Sequence, residues 1–251
     1  MLREIINTVI KKFIHQFASP KTYFLQVKRL YPWVFYISIA IYVVAITWGL
    51  LFTPKDFVQG NSYRIIYFHV PASFIAQSLY AAMAFSSAVY LIWKVKLAAY
   101  LSRSIAPVGA TVTLIALISG SIWGIPTWGT WWEWDARITS TLILFIMYLG
   151  LISLHNSFNN FEKADKLFSY LAIIGFIQIP IIKKSVDWWS SLHQPASITI
   201  SDKPSIDPVM LYPLFLSIIG FSGLVACLVI LSSKVQIYKR EKNKNWIKDY
   251  V

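Results

Sequence analysis

The chain of 251 residues is short of cysteine, of charge and above all of acids, with 11 Asp and Glu against 23 Lys and Arg. Its single thiol, Cys227, excludes an internal disulfide, a thiol pair and a cysteine-rich metal site. No C-x-x-C-H occurs, so the chain is not itself a c-type cytochrome. No G-x-x-x-x-G-K-[ST] occurs either, which excludes ATP hydrolysis through a P-loop. Charged residues make up 14% and hydrophobic ones 57%, where globular domains average about 25% and about 45–50%. A mean hydropathy of +0.57 points to a bilayer as solvent. Each spanning helix takes roughly 20 apolar residues, so six spans leave room for loops but for no large soluble domain.

Apolar runs recur at 33–52, 70–93, 105–125, 138–155, 168–182 and 211–231, and they predict six transmembrane helices. The fifth run is cut short by Lys183 and Lys184, with its helix expected to continue through Val186 to Trp189. The expected fold is an all-α polytopic membrane protein: a basic N-tail over 1–32, a membrane domain over 33–231 and a basic C-tail over 232–251. The N-tail is too long and too polar to begin a secretory signal, and no small-residue cleavage site follows it.

Orientation follows from the basic residues. With both termini inside, the inner segments carry 17 Lys or Arg, and the outer loops carry six: Lys55, Arg64, Arg137, Lys183, Lys184 and Lys203. Six acids also lie outside, so the whole +12 sits on the cytoplasmic side. This asymmetry accounts for the basic total without nucleic acid. The outer loops over 53–69, 126–137 and 183–208 are the stretches long enough to carry chemistry.

The loop over 126–137 holds Trp128, Trp131, Trp132 and Trp134. An interfacial aromatic belt explains Trp33, Trp48, Trp93 and Trp123, one near each helix end. It explains poorly four indoles in seven residues, a flat apolar platform with N–H donors at its rim that suits a large planar ligand. Asp135 directly precedes the fourth helix, where a carboxylate caps the first turn, and this reading stands ahead of a catalytic one. Arg137, one turn in, fits interfacial snorkelling or anion binding.

The histidines divide. His15 lies in the basic tail and His155 at the inner end of the fourth helix, both expected to be solvated or interfacial. His69, just before the second helix with Pro71 in its first turn, and His193, in the last outer loop, fall on the face of the Trp-rich loop. Each is embedded in aromatics, and together they form a candidate ligand pair for haem iron. Zinc or copper would need three or four protein ligands, which requires Asp187 or Glu133 to join. Haem brings four nitrogens of its own and asks only for the axial pair, so the ligand count favours haem.

The run Trp128-Gly129-Thr130-Trp131-Trp132-Glu133-Trp134-Asp135-Ala136-Arg137-Ile138-Thr139 resembles the "WWD" signature of haem-handling membrane proteins. Together with Tyr63-Arg64-Ile65-Ile66-Tyr67-Phe68-His69-Val70-Pro71-Ala72 and Trp188-Trp189…Leu192-His193-Gln194-Pro195, it resembles the CcmC, or haem exporter protein C, family over roughly residues 30–235. The N-tail is longer than that family requires, and Lys184 is more polar than expected at its place. The resemblance implies a protein of the bacterial inner membrane that holds haem b transiently at its periplasmic face. His69 and His193 would be the axial ligands, Trp128, Trp131, Trp132 and Trp134 the cradle, with Asp135 and Arg137 beside it. It further implies delivery to the periplasmic haem chaperone CcmE during c-type cytochrome maturation, in a complex with the ABC transporter subunits CcmA and CcmB and the small protein CcmD. No nucleophile or acid–base pair points to covalent chemistry by the chain itself, so an enzyme is not expected. Competing readings are a haem lyase component of the cytochrome c synthase type, a haem channel, and a structural subunit of an ABC complex.

Overall fold

Most of the long helices begin where the sequence offers an oxygen to the free N–H groups of the first turn. Ser19 caps helix α1 (Pro20–Thr47), accepting from Thr22 N at 3.1 Å, with Pro20 at the first helical position. Asp135 caps α4 (Ala136–Asn156), Asn160 caps α5 (Phe161–Gly175) and Asp207 caps α7 (Pro208–Glu241), where Pro208 again leads. Between these lie α2 (Ile66–Trp93), α3 (Lys96–Trp128) and α6 (Gln178–Trp188), and a short α8 (Asn245–Lys248) closes the order. The computed structural model describes residues 18–189, 191–193 and 203–248. His15 and part of the 183–208 loop lie outside them.

Among the described residues six stretches are long and apolar enough to cross a membrane: Pro20–Phe52, Ser62–Trp93, Lys96–Trp128, Ala136–Asn156, Phe161–Trp188 and Pro208–Glu241. The chain is an all-α polytopic membrane protein, and among the described residues there is no strand beyond the single bridge Asp56–Gly60. The helices outrun the apolar runs because backbone hydrogen bonding continues past the hydrocarbon slab that hydropathy measures. α1 ends in a π-helical turn, Trp48–Phe52, and α2 is preceded by a 3-10 turn, Ser62–Ile65. His69 therefore stands inside the second spanning segment, rather than just before it. Pro71 lacks an N–H, which releases the Tyr67 carbonyl, and Ser217 of α7 donates to that carbonyl at 3.1 Å.

The fifth span continues to Trp188 as a helix, but it is broken at Phe176 and Ile177. Pro180 has no N–H for the carbonyl four residues back, so that turn tightens, with Ile179 N donating to Phe176 O at 3.1 Å. α1 packs on α7, α2 on α3, and α3 on both α4 and α7. A Cβ at Gly220 would lie within 2.7 Å of the Tyr42 backbone, the close approach small residues permit between membrane helices. The buried core centres on Tyr80, Met83, Leu144, Tyr148 and Phe168. Described residues after the first, third and fifth spans meet at one end of the bundle, where Trp123 reaches Gln59 and Asp135 meets Ser191 and His193.

At the opposite end His155 is not solvated but 5% exposed. Its Nε2 lies 3.0 Å from Asp165, and Arg240 of α7 clasps the same carboxylate at 2.5 and 2.8 Å. A hydropathy reading sees a histidine near a helix end; it cannot see the carboxylate and guanidinium that two other helices bring to it.

Candidate functional site

The tryptophan-rich loop starts where α3 stops. Gly129 takes φ +79° and its N–H bonds to Ile125 O at 3.1 Å, the left-handed turn that ends a helix and that a Cβ would strain. The chain then leaves Trp128 on the helix and lifts Trp131 and Trp134 into the open, 65% and 71% exposed. Trp132 sits between them, its ring centroid 6.0 Å from that of Trp131 and 5.4 Å from that of Trp134. Trp132 Nε1 is buried with no hydrogen-bond partner. Beneath Trp131 and Trp132 an apolar crevice of about 380 Å³ runs between α3 and α4, lined by Ile118, Ile122, Ile125 and Phe145 among others. Glu133, between Trp132 and Trp134, is exposed.

His69 is held from across the helix pair. Its Nδ1 lies 3.1 Å from the Ala116 carbonyl and 3.1 Å from Ser119 Oγ. A carbonyl can only accept, so Nδ1 carries the proton and Nε2 the lone pair. The imidazole fits because position 120 is glycine: a Cβ there would stand 2.9 Å from His69 Cε1. Trp123 meets the same ring edge to face at 5.6 Å and donates from Nε1 to Gln59 Oε1 at 2.8 Å.

His193 is held by the motif's own carboxylate. Its Nδ1 lies 2.8 Å from Asp135 Oδ2, which also accepts from Ser191 Oγ, while Asp135 Oδ1 accepts from Ile138 N at 2.7 Å. Asp135 is thus the expected helix cap and, with its other oxygen, the partner of His193. Facing an acceptor, Nδ1 of His193 carries the proton and Nε2 the lone pair. Burial works against the Asp135 charge, but the Ile138 amide, Ser191 and His193 outweigh it and hold the carboxyl below its ordinary range. Burial likewise lowers His193, against the pull of Asp135, which favours the neutral ring that can ligate. Trp128 stacks edge to face on His193 at 4.7 Å.

The two imidazoles and Arg137 are close enough to interact electrostatically. Arg137 also feels Asp135 and Asp187, and its Nε lies 3.5 Å from Ser185 Oγ. Arg64 binds the Thr53 carbonyl at 2.7 Å and keeps a buried, unpartnered Nε. Of the site residues singled out from sequence, His193 touches both Trp128 and Asp135, and His69, Trp131, Trp132, Trp134 and Arg137 lie at the same end of the bundle. Trp123, read as belt, is also part of the setting of His69. Ser119, Ser191 and Gln59 carried no sequence signal, since their roles depend on partners from other helices. Among the described residues no three His, Cys, Asp or Glu group as a metal-holding cluster, and Asp187 pairs with Lys184 at 2.9 Å. Among the described residues neither Asp187 nor Glu133 groups with the two histidines.

A family model, CcmC: Heme exporter protein C, matches residues 13–248. The chain is 41% identical over 240 residues to "Heme exporter protein C" of Escherichia coli (strain K12), covering 96% of this chain and 97% of that one. It is 40% identical over 237 residues to the protein of that name from Haemophilus influenzae, covering 94% and 96%. With the Bradyrhizobium diazoefficiens protein of the same name it shares 37% over 223 residues, covering 89% and 84%. Matches at this level of identity over nearly the whole length show the family: the chain belongs to the heme exporter protein C family.

Proposed function

We propose that this protein holds haem at the tryptophan-rich end, ligated by His69 and His193, and hands it on to a periplasmic haem chaperone during cytochrome c maturation. The observation that carries the reading is the matched state of the two imidazoles. Each has Nδ1 committed to an acceptor, Ala116 O at 3.1 Å and Asp135 Oδ2 at 2.8 Å, and so each keeps its lone pair on Nε2. Haem supplies the iron and the planar face; the chain supplies the two nitrogens, the indoles and the cations. The buried donors left over at this end, Trp132 Nε1 and Arg64 Nε, suit a ligand with acceptor groups at its edge. Arg137 is placed to pair with a propionate.

Hand-over follows from where the platform sits. Trp131 and Trp134 are open to a partner, as a storage site would not be, and the chain's part in transfer is positioning. The basic asymmetry, 17 against six, supports an outward orientation of this end, and the family resemblance supports the bacterial inner membrane as its location. The partners this reading expects are CcmE, with CcmA, CcmB and CcmD in the membrane complex.

Detergent-purified protein tests it. A Soret band of six-coordinate form is expected, reduced but not abolished in Trp131→Ala and Trp132→Ala, since each indole removes stacking worth on the order of 1–2 kcal/mol. Protein that carries no haem when made in haem-replete cells contradicts the reading. So do Trp variants that keep full haem and still engage the chaperone.

A further inference from the structure

The two imidazoles are matched in tautomer and unlike in strength. His193 donates to a carboxylate at 2.8 Å, and that carboxylate is pinned as an anion by the Ile138 amide, by Ser191 and by the N-terminus of α4. A proton shared with an anion leaves more electron density on the far nitrogen, so Nε2 of His193 is the more basic donor. His69 donates to a neutral carbonyl at 3.1 Å and shares that proton with Ser119 Oγ, also at 3.1 Å. Ser119 in turn gives its own hydroxyl proton to Ile115 O at 2.7 Å, so nothing charged faces the ring from this side.

A second difference lies at the ligating nitrogens. Ser73 stands one helical turn from His69, and its Oγ lies 3.4 Å from His69 Nε2. That hydroxyl is placed to bond the lone pair whenever the iron is not there. Release of Nε2 therefore exchanges an iron bond for a hydrogen bond within the protein rather than for a bare buried lone pair.

From this we infer that the axial pair opens in a fixed order: His69 is the ligand that yields its place to an incoming donor, and His193, fixed by Asp135, is the one that retains the haem until transfer. The step is a ligand exchange. The iron–Nε2 bond of His69 breaks with its electron pair returning to the imidazole, and a lone pair from a neutral oxygen or nitrogen donor of the acceptor, or from water, takes the coordination position. No electron changes hands and no proton need leave either ring. This rests on the ligation proposed above and adds the order to it.

Carbon monoxide on the reduced, haem-loaded protein is the probe, because it displaces one axial ligand and its vibrations report the ligand left opposite. The expected result is that wild type and His69→Gly give the same Fe–CO and C–O frequencies, and His193→Gly gives different ones. Asp135→Asn, which keeps the helix cap, should shift the wild-type frequencies and cost about 10–100-fold in haem affinity, the range for removing such an orienting partner. Ser191→Ala, which keeps the carboxylate, should shift them the same way by less, and Ser119→Ala should not shift them at all. Wild type matching His193→Gly, or Ser119→Ala shifting the frequencies while Asp135→Asn is silent, overturns the order. A different result, in which both glycine variants match wild type before and after CO, removes the ligation itself.

Discussion

At the scale of single residues the site depends on what each Nδ1 faces. Asp135 divides two oxygens between two tasks, the Ile138 amide at 2.7 Å and the His193 ring at 2.8 Å. Removing the side chain and changing its charge should therefore separate. Asp135→Ala is expected to lose the cap, about 1 kcal/mol of stability, and to bind haem more weakly; Asp135→Asn should keep the stability and still bind haem more weakly. Thermal unfolding in detergent beside haem content per chain checks this, and equal stability loss in both variants would contradict the divided role. The histidine pair and the indole platform were legible in the sequence because residue type and local density announced them. The link from Asp135 to His193 was not, since 58 positions separate the partners and no local pattern encodes the approach. The contacts of Trp123 were hidden for the same reason, its partners His69 and Gln59 being distant along the chain.

At the scale of elements, hydropathy located six spans and Asp135 marked the start of the fourth helix. The break in the fifth span at Phe176 and Ile177 was not anticipated, although Pro180 held the cause. A lone proline in an apolar run reads as tolerable until the released carbonyl is followed to its turn. The reach of α1 back to Pro20 was equally hidden, because polarity marks the edge of the bilayer and not the end of a helix. The end of α3 carries the sharpest constraint. Gly129 at φ +79° turns the chain out of the helix and aims the loop. Gly129→Ala should cost about 1–2 kcal/mol, the strain of a side chain in the left-handed region, and should lower haem content beyond what the stability loss explains. A variant with wild-type haem content and unfolding temperature would show that the loop does not depend on this turn.

At the scale of the whole molecule the two ends are built for different work. The end away from the loop is tied by Asp165, His155 and Arg240, with the Arg240 guanidinium over the Tyr100 and Phe161 rings at 4.9 and 4.8 Å. The other end leaves its indoles open and its histidines poised. The arrangement serves haem delivery only if the open end faces outward. In a Cys227→Ser background, cysteine at Asn61 should label from the outside of intact cells and cysteine at Asn160 should not. The reverse pattern would invert the topology and the site with it. The central claim is that His69 and His193 ligate haem in a site open to small molecules, and imidazole rescue measures it most directly. His69→Gly or His193→Gly should lose the six-coordinate spectrum, and free imidazole should restore it, because added imidazole fills a coordination vacancy and cannot repair a misfolded bundle. His155→Gly, at the opposite end, should leave that spectrum unaltered. Spectra unchanged in both glycine variants, without any imidazole, would contradict the account.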